Sequence, residues 1–167
     1  MSARELRFTV VGVPVPQGSM KAFVVRRKRD GKMIATLTGD NPNTKGWRQT
    51  IAETAARTLQ LEENRGIYFT GAVAFEVTFY LPRPAKLLTG KYAGDGVPHL
   101  TRPDVSKLLR AAEDALSQVV WGDDAQITEL HGRKRYCPIG EHPRADILVR
   151  GAVVDVAESP LFAHTGK

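Results

Sequence analysis

The apolar positions of the chain change period several times, and each change marks an element. Residues 5–13 carry β-branched and aromatic side chains in "FTVVGV", which predicts a strand that "PVPQG" ends. "AFVVRRKRDGKMIATLT" reads as two short strands around Asp30-Gly31, a pair that favours a hairpin turn. In residues 45–61 the period becomes helical: Trp47, Ile51, Thr54 or Ala55, Thr58 and Leu61 recur at spacings of three and four. Asn43 or Thr44 would cap that helix. A clear alternation follows, with Val73, Phe75, Val77 and Phe79 on one face and Ala74, Glu76, Thr78 and Tyr80 on the other. Residues 82–100 hold proline, glycine and lysine with no period. A loop of that length in a compact domain is usually functional or mobile.

A second helical pattern occupies residues 104–119, where Val105, Leu108, Leu109, Ala112, Leu116 and Val119 form one apolar stripe. "QITELHGRKRYCP" and "RADILVRGAVV" read as two further strands joined by "IGEHP". The order strand, hairpin, helix, strand, helix, strand, strand argues for an α+β fold, two helices packed on a mixed or antiparallel sheet. Residues 1–155 are expected to form a single domain, and residues 156–167 a loosely held tail.

Composition narrows the function classes. The 167 residues suffice for one buried core, and 42% hydrophobic with 25% charged residues is ordinary for a soluble globular fold. No apolar run approaches a membrane span and no signal peptide opens the chain, so a cytoplasmic location is expected. The lone Cys137 excludes an internal disulfide and reads as a half-buried strand residue. A net charge of +6 and a pI near 9.7 fit a nucleic-acid binder. The charge is clustered: Arg26, Arg27, Lys28 and Arg29 at the hairpin tip, and Arg133, Lys134 and Arg135 in a later strand. With Lys86 and Lys91 of the long loop and Arg102 after it, these are the candidate nucleic-acid-contacting residues. His99, His131, His142 and His164 show no metal-ligand spacing. "VGVPVPQG" lacks the glycines and the Gly-Lys-Ser/Thr of a phosphate loop.

The candidate chemistry lies in "RPDVSKLLRAAEDALSQVVWGDDAQI", residues 102–127. Asp104 stands at the start of the second helix, with Lys107, Arg110 and Asp114 on the face opposite the apolar stripe. Asp123 and Asp124 follow in a short loop that can fold back toward the helix, and Trp121 would pack that loop down. Carboxylates so placed can bind Mg²⁺, which takes oxygen ligands. The ion would activate the attack on a phosphodiester, with Lys107 and Arg110 steadying the phosphate. The bland alternative is that Asp104 caps the helix, Asp114 pairs with Arg110 at i,i+4, and Gly122-Asp123-Asp124 is a turn.

The same stretch resembles the signature of the RusA-type Holliday-junction resolvases, a bacterial and prophage endonuclease family. The resemblance is carried by Pro103-Asp104, Lys107-Leu108, Arg110, Asp114-Ala115-Leu116 and Asp123-Asp124-Ala125-Gln126, and weakly by "FTVVGVPVPQGSMK" and "GWRQTIAETAA". It implies a RusA-like intertwined homodimer acting on branched DNA, a four-way junction, with Mg²⁺ or Mn²⁺. It implies that Asp104 and Asp124 are the catalytic carboxylates, that Asp123 lies beside them, and that Arg110 is the basic helix residue. One position departs. The family's second helix-start aspartate is Ser106 here, which carries no charge. Glu113 and Asp114 lie two turns or more along the helix and are not expected to replace it. A branched-DNA-binding protein that does not cut is therefore the alternative to a nuclease.

Overall fold

The computed structural model describes residues 2–18, 20–39, 41–89, 94 and 96–153. Lys91 and the expected tail lie outside them. Eight main elements follow one another: β1 (Ser2–Val11), β2 (Met20–Arg26), β3 (Met33–Gly39), α1 (Thr44–Leu59), β4 (Phe69–Leu81), α2 (Val105–Leu116), β5 (Ile127–Tyr136) and β6 (Arg144–Val153).

The main sheet runs β1-β6-β4-β5. β6 pairs antiparallel with both β1 and β4, while β5 lies parallel to β4. The sheet is thus mixed, as a helix between two parallel strands requires. Alternation decides its faces. Leu6, Phe8 and Val10 of β1, Val73, Phe75, Val77 and Phe79 of β4, and Ala145, Ile147 and Val149 of β6 are buried under the helices. The outer face is polar, with Arg150 bridging Glu5 at 3.1 Å and Glu76 at 2.7 Å.

Trp47, Ile51 and Ala55 anchor α1 in the core, on the expected spacing. α2 buries a wider face than its stripe predicts, because Ala111 and Ala115 also sit against neighbours. Its approach to β5 depends on Gly132, where an added Cβ would lie 2.4 Å from Leu109 Cδ1. The helix stops at Leu116 rather than 119. Ser117 leaves helical geometry and Gln118 takes φ +66, so that Val120 can accept from the Phe69 amide at 2.9 Å. The cost of a non-glycine residue at positive φ is offset by fixing the chain after α2 onto the start of β4.

β2 and β3 form a separate two-stranded sheet. Its turn is longer than the two-residue one expected: Arg27 to Lys32 close it, with Gly31 at φ +67. The 82–100 loop is partly stitched to β5, through the Tyr136 amide to Val97 and the His99 amide to Lys134.

Candidate active site

The Asp123-Asp124 loop is fixed from three sides. Asp123 caps a 3-10 turn over Asp124–Gln126, its Oδ1 accepting from the Ala125 amide at 2.7 Å. Gln126 returns the bond, its Oε1 accepting from the Asp123 and Gly122 amides, which completes a reciprocal capping box. The other end of the same side chain donates to the carbonyls of Phe69 and Gly71, both at 3.0 Å, and so latches the turn to β4. Trp121 is fully buried edge-on against Phe75, with ring centroids 5.3 Å apart. Its indole N–H donates to Asp124 Oδ1 at 3.0 Å. Trp121 is expected to pack the loop onto the helix; its ring contact is with Phe75 of β4, and the indole adds a directed bond. Asp123 follows the bland reading, as part of a turn. Asp124 stays exposed but is aimed by a rigid ring.

At the opposite end of α2, Asp104 holds the N-cap position without capping. No bond from its carboxylate to the first-turn amides is formed. The carboxylate instead faces Lys107 Nζ at 3.8 Å and is more than half exposed. Two carbonyls around it are pinned by one ammonium and one ring. Lys134 Nζ donates to Thr101 O and Pro103 O at 2.6 and 2.7 Å, and His99 Nδ1 meets Thr101 O at 3.1 Å. His99 packs on Tyr136 and is 7% exposed. Burial, then the Lys134 charge, push its pKa below the ordinary imidazole range.

Two expectations about charge pairing are corrected. Asp114 does not pair with Arg110. It meets Arg48 of α1 at 3.4 Å, because the helices pack face to face and Asp114 looks toward α1. Nor do Arg133, Lys134 and Arg135 form one basic patch. Successive strand residues point to opposite faces. Arg133 lies 3.7 Å from Glu76, Lys134 turns inward as described, and Arg135 donates to Gly96 O. The hairpin tip does present its charge: Arg26, Arg27, Lys28 and Arg29 are exposed, with Arg27 bonded to Asp30. Lys86, Arg102, Lys107 and Arg110 are exposed as well.

Glu113 stands far along α2 from Ser106 and lies within electrostatic reach of Asp124. Burial first, then Asp124 and Asp114, push its carboxyl above the usual range, against the pull of Arg110. The sequence signal that went unread is the helix end itself: a chain that reverses just after Leu116 returns its loop to the last turn of α2.

A cleft of about 730 Å³ opens beside Asp104, between the residues 13–18 segment and the start of α2. The Gln17 amide bonds Lys107 O at 2.9 Å, and Asn41 and Thr44 both donate to Pro16 O, so the segment is held in place. Gln17 Oε1 is buried with no hydrogen-bond partner among the described residues. Such an atom costs about 1–3 kcal/mol.

A family model described as Endodeoxyribonuclease RusA matches residues 13–150. The chain belongs to the RusA endodeoxyribonuclease family. A protein of Bacillus subtilis (strain 168), named only as uncharacterized protein YqaN, is 27% identical to this chain over 150 residues, covering 87% of it and 95% of YqaN. The α+β fold described above, two helices and a mixed four-stranded sheet, is consistent with that family. Among the described residues no helix is long and apolar enough to cross a membrane.

The oxygen donors of Asp104, Asp123 and Asp124 suit a hard divalent ion by type. Their placement within one chain does not. Among the described residues no three acidic, histidine or cysteine side chains stand close enough to hold a metal. Glu113 lies nine residues beyond Asp104, about 13 Å along a helix rising 1.5 Å per residue, and Asp124 is at the Glu113 end. Among the described residues this chain therefore presents two separate acidic points, one at each end of α2.

Proposed function

We propose that this protein is a divalent-metal-dependent endodeoxyribonuclease of branched DNA, a Holliday-junction resolvase acting as a homodimer. The observation that carries the reading is the RusA-family match together with the loop that aims Asp124: a carboxylate held by a buried indole and a latched turn is built to stay in one place. Asp104, uncapping and exposed, is the second carboxylate. When bound, Mg²⁺ or Mn²⁺ would supply an activated nucleophile and charge neutralisation at the scissile phosphate. The two carboxylates need to be brought nearer for that, which a second copy or the bound junction would do. Lys107 and Arg110 would meet the phosphate oxygens along the exposed side of α2. Arg26, Arg27, Lys28 and Arg29, with Lys86, Lys91 and Arg102, would contact the backbone of the arms, a sequence-independent contribution.

The chemistry is cleavage of a P–O bond with water as the nucleophile. The test is incision of a synthetic four-way junction in the presence of Mg²⁺, scored against linear duplex of the same sequence. A second reading, junction binding without incision, is favoured by Ser106 at the start of α2. Tight binding with no incision across Mg²⁺ and Mn²⁺ would select it.

A further inference from the structure

Gly132, Lys134 and Tyr136 share the helix-side face of β5, in register with the buried Val77, Phe79 and Leu81 of β4. A lysine at such a position gives up solvation and side-chain freedom, so its ammonium calls for partners. Its hydrogen bonds go to backbone carbonyls rather than to a carboxylate: Thr101 O at 2.6 Å and Pro103 O at 2.7 Å. The Tyr136 amide to Val97 O at 3.0 Å and the His99 amide to Lys134 O at 3.4 Å lay the same segment along β5. The second carbonyl controls Asp104. A peptide unit is planar, so holding Pro103 O fixes the nitrogen and Cα of Asp104 at the other end of the same plane. Asp104 has no side-chain capping bond, so its carboxylate points where the backbone at the start of α2 sends it.

We propose that Lys134 is a positioning residue of the nuclease site: its ammonium holds residues 101–103 so that Asp104 presents its carboxylate in one direction. The proposal rests on the reading of the protein as a junction endonuclease and deepens it, since Lys134 acts through Asp104 and leaves the DNA to the exposed cations. Bonds from an ammonium to carbonyls are stronger than those between neutral groups. An apolar side chain of like length fills the same space but leaves both carbonyls without their donor. Displacing a reacting group by about 1 Å costs on the order of a hundredfold in rate. A lysine that instead meets a phosphate changes affinity and its salt dependence.

The test compares wild type with Lys134→Met on one four-way junction and follows amide hydrogen exchange in both proteins. The Lys107 and Leu108 amides both donate to Asp104 O at 3.2 Å, so they report how firmly α2 begins. In Lys134→Met they are expected to exchange about tenfold faster, while the amides of β4 and β6 keep their protection. The single-turnover incision rate should fall about a hundredfold, with the junction dissociation constant and its salt slope unchanged. Lys134→Gln also removes the charge, and carries the same expectations where the Met variant does not fold. Unchanged exchange of the two amides, or an unchanged rate, overturns the proposal, while incision by the wild type keeps the functional reading. Weaker junction binding with a shallower salt slope makes Lys134 a phosphate contact and overturns it too. A wild type that cuts no junction overturns the functional reading, and the positioning role with it.

Discussion

At the scale of single residues, Asp124 and Ser106 make opposite demands on one idea. Asp124 has one oxygen bonded to the Trp121 indole and the other available. Asp124→Asn should therefore abolish incision while junction binding is unchanged or tighter, since a negative charge near phosphate is removed. An Asp124→Asn protein that cuts at the wild-type rate would remove it from the chemistry. Ser106 is exposed in the first turn of α2, where the helix dipole favours an added negative charge. Ser106→Asp is expected to lower the Mg²⁺ concentration for half-maximal rate, because another carboxylate strengthens divalent binding. An unchanged or higher requirement, read from a titration of both proteins on one junction, would mean that the wild-type ligand set is already complete.

At the scale of elements, two short segments hold the two acidic points, and each has a separable test. Gln126 ties the 3-10 turn to β4 with four hydrogen bonds. Gln126→Leu should lower stability by about 1–3 kcal/mol and reduce the rate well beyond what stability explains, seen by comparing chemical denaturation with kcat below the transition. The loop before α2 depends on His99, which is packed by Tyr136 and faced by Lys134. Its pKa in the fold lies below its unfolded value. The unfolded chain thus takes up the proton first, and the His99 contribution to stability is lost as pH falls below the ordinary imidazole range. The melting temperature of the wild type should drop between pH 7.5 and 5.5, and His99→Gln should flatten that part of the drop. A parallel decline in both proteins would assign it to other groups.

The elements themselves were legible because period is a local property. Trp47, Ile51 and Ala55, and the alternation from Val73 to Phe79, announce their buried faces directly. What was not legible depends on chain return. The early stop of α2 follows from a positive-φ Gln118 and an amide from Phe69, some fifty residues earlier in the chain. That stop is what brings Glu113 near Asp124. The Asp114 partner came from another helix for the same reason, and the Arg133, Lys134 and Arg135 cluster dissolved because strand geometry outranks sequence proximity. Asp123-x-x-Gln126 could have been read as a capping box from spacing alone. Gln17 carried no signal, since an unpaired amide oxygen exists only once the fold surrounds it.

At the scale of the whole molecule, the two acidic points at opposite ends of α2 set the main expectation. Symmetric incision across a junction needs two active sites, which a C2 pair supplies. The protein should run in light scattering near twice its 18.4 kDa mass, and a monomer that still cuts both strands would contradict this. Binding carried by the exposed hairpin arginines and the rim of α2 should weaken steeply with salt, in proportion to the phosphates neutralised. The most direct measurement is incision of a synthetic four-way junction and of its linear duplex, side by side, over a range of Mg²⁺. The account predicts paired cuts in the junction that require the ion, sparing of the duplex, and loss of the cuts in Asp124→Asn. A junction that stays intact at every Mg²⁺ and Mn²⁺ concentration while the protein binds it tightly, or a duplex cut as fast as the junction, would contradict it.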